Sequence, residues 1–366
     1  MEQHGGWPGR SPWIREAVAG LPRDLFAPDR LWHWDGNAYV PVDRAVDPAQ
    51  WVELLYADPD APAVTQVIDG LPTSSLSCQA VVVDMLDSLL LEPGHRVLEL
   101  GTGTGWNAAL LAARVGGERV TTVETDPTVA ETARVRLREH APGVRGRVGD
   151  GSLGASDPIA PATAPYDRVI ATYAVDRVPW AWVAQTRPGG RIVLPWGRLG
   201  HVALTVADDG RSASGWVQGL AQFMPDRNAA TAAATASQDF AAVRGSGGPQ
   251  HERPWERDLT PLRDDWDLRF ALRVALPDLH VTVAADDDGL NAWLHDDASW
   301  AVLAANGDGT TTAHQGGTRR LADELDRAWG AWHAMGSPSR YDFGLTVEEH
   351  RQYAWARDPA TGPRWP

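Results

Sequence analysis

The stretch VLELGTGTGW, Val97 to Trp106, runs from an apolar segment straight into glycine at every second position from Gly101 to Gly105. Glycine weakens regular structure, so a cluster of it after a strand-length run marks a sharp turn where backbone must come close to something else. A strand, a glycine turn and a helix start in that order are the pieces of a ligand site on a parallel α/β sheet. Between Arg96 and about Val206 the chain repeats the theme: RVLEL, RVTTVE, YDRVIAT, RIVLP and HVALTV read as strands between helix-like stretches. Cys78, Val81, Val82, Met85, Leu86 and Leu89 recur at helical spacing and predict a helix covering the sheet. Asp126 before Pro127 is an N-cap with proline in the first turn and predicts a helix to about Glu139, whereas RPGGRIVLP reads as a helix stop, a turn and a strand.

A chain of 366 residues exceeds the usual single-domain size. Composition suggests an N-terminal segment at 1–75, the α/β core at 76–227, a flexible linker at 228–254 where AATAAATAS and GSGGP fall, and an accessory module at 255–366. That last part holds 8 of the 18 tryptophans. In it LRFALRV alternates like a strand, SWAVLAANGDGTTTAHQ looks like a hairpin around a glycine turn, and Leu321, Leu325, Trp329 and Trp332 line one helix face. A small α+β module is expected there, with the tryptophans mainly as its core.

Charge and residue usage narrow the chemistry. The net charge of −15 opposes binding to a polyphosphate backbone and favours small molecules or peptides as partners. All 33 basic residues are arginines, so a P-loop lysine, a Schiff-base lysine and a lysine general base are excluded. The single cysteine, Cys78, permits no intrachain disulfide and reads as a helix residue rather than a nucleophile; no Cys/His cluster has zinc-site spacing, so no metal is expected. The N-terminus lacks a signal-peptide core and AVVVDMLDSLLL is interrupted by Asp84 and Asp87, which leaves no membrane span and makes the cytoplasm the expected location.

The glycine spacing then bears on the ligand. A dinucleotide fingerprint would place its third glycine where Trp106 stands. Glu99, two residues ahead of Gly101, would oppose a pyrophosphate but suits a ligand carrying positive charge, such as the sulfonium and ammonium of S-adenosyl-L-methionine. Glu124 closes the second strand, where a carboxylate accepts ribose hydroxyls, and Asp150 in VGDGSLG can accept from an adenine amino group. The expected cofactor set is therefore Glu99, Gly101, Thr102, Gly103, Thr104, Gly105, Glu124, Asp150, Gly151 and Thr172.

From about Leu21 to Arg227 the sequence resembles the protein-L-isoaspartate O-methyltransferase family, on the blocks LPRDLFAPD, LEPGHRVLELGTGTGWNAALLA, GDGSLG, APYDRVIAT, RPGGRIVLPWG and FMPDR. The resemblance implies a Rossmann-like class I methyltransferase fold, S-adenosyl-L-methionine as cofactor, and methylation of a carboxyl group on a protein or peptide. It also sets SLSCQ, Ser75 to Gln79, on the family's TISQP segment, so that Ser77 coincides with its substrate-binding serine. By the resemblance Ser77 is the catalytic-site hydroxyl, whose alternative is a helix N-cap, with Ser75, Trp196 and His201 as substrate contacts; the proline of TISQP is absent, Trp196 replaces a valine, and His201 replaces a glutamine. The C-terminal extension resembles enzymes that methylate an aspartate of ribosomally made peptides of the lanthipeptide, graspetide or lasso kind, the ester then closing to an aspartimide. Repair of isoaspartyl proteins is the alternative, RNA or small-molecule methylation a further one, and a partner-binding protein with a vestigial cofactor fold the non-enzymatic one.

Overall fold

The computed structural model describes residues 6–155, 165–197, 199–226 and 240–366. They fall into two units, the first made of Met1–Gly197, His201–Met224 and Leu345–Gln352, the second mainly of Pro225–Gly344 and Tyr353–Pro366. The first unit begins with α1 (Trp13–Gly20), β1 (Arg30–Trp34), β2 (Tyr39–Asp43), α2 (Pro48–Tyr56), β3 (Ala63–Ile68) and β4 (Leu71–Leu76). The four strands form an antiparallel sheet in the order β2-β1-β3-β4. After it come α3 (Gln79–Ser88), β5 (Val97–Leu100), α4 (Trp106–Val115), β6 (Val120–Glu124), α5 (Pro127–His140), β7 (Arg145–Val148), β8 (Tyr166–Ala171), α6 (Trp180–Ala184), β9 (Thr186–Trp196), β10 (Gly200–Val206) and β11 (Ser212–Leu220).

The central strands run β9-β8-β5-β6-β7, all parallel. The chain leaves β5 toward β6 and β7, then returns to lay β8 on the opposite side of β5. Strand order therefore reverses at β5, and the carboxyl end of β5 opens into the crevice where sheets of this kind hold ligands. All four β5 residues are buried, which explains an apolar run without alternation.

Ile14 and Val18 of α1, Phe26, Leu31 and Trp51 share one hydrophobic cluster with α3 and with Leu110 and Leu111 of α4. The expected division at residue 75 is thus not a packing boundary: the N-terminal sheet and the α/β sheet belong to the same unit. RPGG also differs from the reading given above. It lies inside β9, where Gly189 takes φ +69° and the pairing with β8 shifts register between Tyr166 and Arg168. A bulge, and not a turn, absorbs the glycines.

The second unit is built on an antiparallel sheet of β12 (His251–Trp255), β13 (His280–Asp286), β14 (Gly289–His295), β15 (Ser299–Ala305) and β16 (Thr311–Gly317), ordered β12-β16-β15-β14-β13. The β15–β16 hairpin is the one legible in SWAVLAANGDGTTTAHQ, and Leu321, Leu325, Trp329 and Trp332 are buried on the helix Leu321–Ala334. LRFALRV, by contrast, is helical. Asp265 caps the helix Trp266–Ala275 by accepting from the backbone N–H groups of Asp267 and Leu268 at 2.9 and 3.0 Å, and this overrides the apparent alternation. The linker expected at 228–254 lies partly outside the described residues. Its described part is structured, with the helix Phe240–Arg244 and β12 paired to β16.

The boundary drawn at 255 for an independent module also fails at one place. Leu345–Gln352 belongs to the first unit, in the strands Phe343–Glu348 and Arg351–Ala356 that continue the sheet beyond β11. Leu345 and Val347 are buried, and the Thr346 and Ser214 hydroxyls lie 2.8 Å apart. Leu345→Ala is expected to destabilise the protein by about 2–4 kcal/mol, the cost of a core cavity. Urea unfolding followed by the fluorescence of the first unit's tryptophans measures it, and a loss under 0.5 kcal/mol, the range of a surface change, contradicts the assignment.

Candidate active site

The turn after β5 is held open by backbone that only glycine adopts comfortably. Gly101 has φ +91°, its N–H donates to the Val123 carbonyl at 2.8 Å, and a Cβ there would stand 2.5 Å from the Thr172 hydroxyl. Gly103, at φ +54°, is different: a Cβ on it would meet nothing nearer than the Ser75 carbonyl at 3.9 Å. The surface over Gly103 is therefore an empty cradle bounded by the last residues of β4. Gly105 then precedes α4 as its N-cap.

Beneath this turn sits Glu99, fully buried in β5. Its carboxylate accepts from Asn107 Nδ2 at 2.7 Å and from the Thr122 hydroxyl at 2.5 Å. The Thr102 hydroxyl lies 2.6 Å from that of Thr122, whose proton is committed to Glu99, so Thr102 donates. One carboxylate thus ties the glycine turn, β6 and the start of α4 together. Burial pushes the Glu99 carboxyl up to about 7; the Thr122 and Asn107 bonds pull it down and the negative charge of Glu124 adds to the rise. The expectation that Glu99 touches the ligand is corrected accordingly: it is a buried carboxyl beneath the turn that anchors the loop.

Glu124 ends β6 at the rim. Its Oε2 accepts from Gly103 N–H at 3.0 Å and its Oε1 from Asp126 N–H at 3.1 Å. Asp126 caps α5 through the Thr128 and Val129 amides, and its second oxygen accepts from Gln66 Nε2 of β3 at 3.2 Å. Asp150 accepts from Ser152 N–H at 2.8 Å and so shapes the short turn Gly151–Leu153, while the Gly151 carbonyl accepts the Trp182 indole N–H at 2.8 Å. Thr172 donates to the Gly101 carbonyl. Thr104 is buried. Tyr173, which no motif flagged, lies between the two turns: a side chain on Gly101 would stand 3.0 Å from its ring and one on Gly151 would collide with its hydroxyl.

On the acceptor side, Ser75 and Ser77 are half-buried, at the end of β4 and between β4 and α3. The N-cap of α3 is Cys78, with no side-chain cap bond, so Ser77 is not spent as a cap, and among the described residues no protein group holds its hydroxyl. Trp196 and His201 are not at this surface. Trp196 is 2% exposed and donates its indole N–H to the Asp176 carbonyl at 3.2 Å. His201 is wholly enclosed, 3.4 Å from the Ser88 hydroxyl and 3.7 Å from an Asp84 oxygen, and burial lowers its pKa to about 4. Both are core residues that fill the sheet, which corrects their expected role as substrate contacts.

A family model described as protein-L-isoaspartate(D-aspartate) O-methyltransferase matches residues 10–219, more than half of the chain. The chain belongs to this family. Among curated relatives, the protein-L-isoaspartate O-methyltransferase 1 of an Anaeromyxobacter species is 37% identical over 204 residues, covering 55% of this chain and 80% of the relative. The enzyme of Ignicoccus hospitalis is 35% identical over 184 residues, covering 50% of this chain and 72% of its own length. A solved protein-L-isoaspartate O-methyltransferase aligns over 98% of this chain and 97% of its own, at 19% identity and a TM-score of 0.47. The chain is thus a class I methyltransferase, dependent on S-adenosylmethionine and directed at protein carboxyl groups. The residues present fit that cofactor: the surface over Gly103 is open, and Glu124 and Asp150, at the ends of neighbouring strands, would be the acceptors for its ribose and base. No helix among the described residues is long and apolar enough to cross a membrane.

The acids give two expected outcomes. Glu124→Ala removes a charged acceptor and should weaken S-adenosylmethionine binding about 10- to 100-fold in calorimetry. Glu99 carries a folded pKa above its ordinary 4.5, so the folded state holds a proton that the unfolded chain has released, and stability falls as pH rises from about 4.5 to about 7. Glu99→Gln does not titrate, so between pH 5 and 7 the cofactor-free wild type should lose roughly 2 kcal/mol relative to it in denaturant titrations.

Proposed function

We propose that this enzyme methylates the free α-carboxylate of an isoaspartyl residue in a peptide or protein, with the acceptor seated between Ser77 and the cradle over Gly103. The observation that carries the reading is the Ser75 carbonyl, 3.9 Å from where a Cβ on Gly103 would stand, which brings the start of the acceptor loop onto the opening in the cofactor loop. The cofactor supplies an electrophilic methyl group. An aspartyl-type carboxylate has a pKa of about 3.9 and is already the nucleophile at neutral pH, so the chain need not provide a base. Its residues instead orient and enclose the acceptor: the Ser77 hydroxyl donates to one carboxylate oxygen and leaves the other to attack, and the β3–β4 hairpin limits water.

The ester formed has lost the charge that protected it. The backbone nitrogen of the next residue attacks it, methanol leaves, and a five-membered imide results, which opens to aspartate or isoaspartate. A second reading keeps this chemistry and changes the acceptor to an aspartate of a ribosomally made, modified peptide. It is favoured by the lost proline of SLSCQ and by the second unit, which lies beyond the family match at residue 219.

Labelled cofactor and mass spectrometry separate the two. Unrelated isoaspartyl peptides should take up one methyl group each and then lose methanol. Label confined to an aspartate of one modified peptide would favour the second reading, and no label on any carboxylate would refute both. Ser77→Ala should lower kcat about 10- to 100-fold, the value of a hydrogen bond to a charged group, with cofactor binding unchanged.

A further inference from the structure

Arg23, next to Asp24 in the run LPRDLF, is 2% exposed. A buried guanidinium ordinarily faces a carboxylate. Here its hydrogen bonds run to main-chain carbonyls: Nη1 donates to Leu55 at 2.6 Å, and Nη2 to Leu76 at 3.1 Å and to Ser77 at 3.0 Å. Leu55 lies in the last turn of α2, where helix carbonyls lack partners and carry the negative end of the dipole. Leu76 and Ser77 are where the chain leaves β4. Three carbonyls from two elements converge on one buried point, and a planar fork of N–H donors meets them at once.

The same cluster reaches the cofactor loop. The Arg23 guanidinium carbon lies 5.7 Å from the ring centroid of Trp106, the first residue of α4 directly after Gly105. Trp106 in turn donates its indole N–H to the Leu21 carbonyl at 2.8 Å, so Leu21 and Arg23 bracket the indole. The Ser77 hydroxyl has no partner among the described residues, so the position of Ser77 is set by its backbone. Its carbonyl is held by Arg23.

We propose that Arg23 is a positioning residue, a clasp that fixes the Ser77 loop against the first turn of α4 and so holds the acceptor hydroxyl over the cofactor cradle. This rests on the reading of Ser77 as the acceptor contact. Arg23 itself is covered on all sides and touches neither reactant.

The lone cysteine provides the test. Cys78 follows Ser77, is partly buried, and its thiol is pushed up by that burial, so it should react slowly with a thiol reagent such as 5,5′-dithiobis(2-nitrobenzoate) while the loop is clasped. Arg23→Met keeps the length and apolar stem but not the fork. It should raise the labelling rate of Cys78 at least 10-fold and lower kcat on an isoaspartyl peptide at least 10-fold, while the S-adenosylmethionine dissociation constant stays within 3-fold of wild type. Arg23→Lys, which keeps charge and volume, should fall between the two and serves if the methionine variant does not fold. Wild-type labelling and kcat in a folded variant would overturn the clasp, and so would a loss of activity matched by an equal loss of cofactor binding. If wild type methylates no carboxylate yet the variant frees Cys78, the clasp stands and the acceptor reading falls.

Discussion

A carboxylate buried without a counter-ion sets the terms for the site above it. Glu99 has no cationic partner; Asn107 and Thr122 supply only neutral donors. Burial opposes its charge, and the hydrogen bonds offset part of that cost without neutralising it. The result is a carboxyl poised to lose its proton near neutral pH, under a turn whose upper surface is bare backbone. Such a turn cannot welcome a pyrophosphate, although its geometry resembles loops that do. A cation placed over Gly103 gains from Glu99 without touching it, and the turn stays in place because Thr102 is hooked through Thr122 to the same carboxylate.

The acceptor side depends on a different economy of polar groups. The four-stranded N-terminal sheet shares its core with α3 and α4, so the hairpin beside the cradle rides on packed hydrophobic residues and not on a hinge. Gln66 of β3 bonds to the cap of α5 while accepting the Thr73 hydroxyl at 2.8 Å. The same carboxylate, Asp126, therefore starts a helix on the cofactor side and holds a strand on the acceptor side. Sequence distance hides this: Gln66 and Asp126 lie in blocks that look independent.

What could be read in the sequence is what local pattern dictates. β5 and β6 follow from buried apolar runs, α5 from Asp126 and Pro127, and the placement of Glu124 and Asp150 from strand ends. Where the reading failed, a nonlocal contact decided. LRFALRV alternates well enough for a strand, but Asp265 caps a helix whose five buried residues include consecutive ones, from Phe270 to Leu272. Leu345–Gln352 carries no local sign that it joins a sheet begun some 250 residues earlier. Trp196 and His201 occupy positions that family likeness assigns to the substrate, yet both are buried, beside the Asp176 carbonyl and the Ser88 hydroxyl, which spacing does not reveal. Arg23 offered little signal: it stands beside Asp24 among Leu21, Leu25 and Phe26, and nothing local says which of the two charges is buried or what meets it.

On the proposed reading, a neutral hydroxyl such as that of Ser77 suits the acceptor better than a guanidinium would. Moving a methyl group from a sulfonium to a carboxylate removes one positive and one negative charge, so the transition state carries less charge than the reactants. A guanidinium bonded to the acceptor would stabilise the reactant carboxylate more than the transition state and slow the step. A neutral hydroxyl orients the same oxygen with less of that penalty. Arg23 reaches the backbone of Ser77, but its Nη1 and Nη2 are committed to the carbonyls of Leu55, Leu76 and Ser77, and it is covered by protein. Its charge is dispersed among backbone dipoles, which, on the proposed reading, reconciles a cation this close with chemistry that proceeds by losing charge.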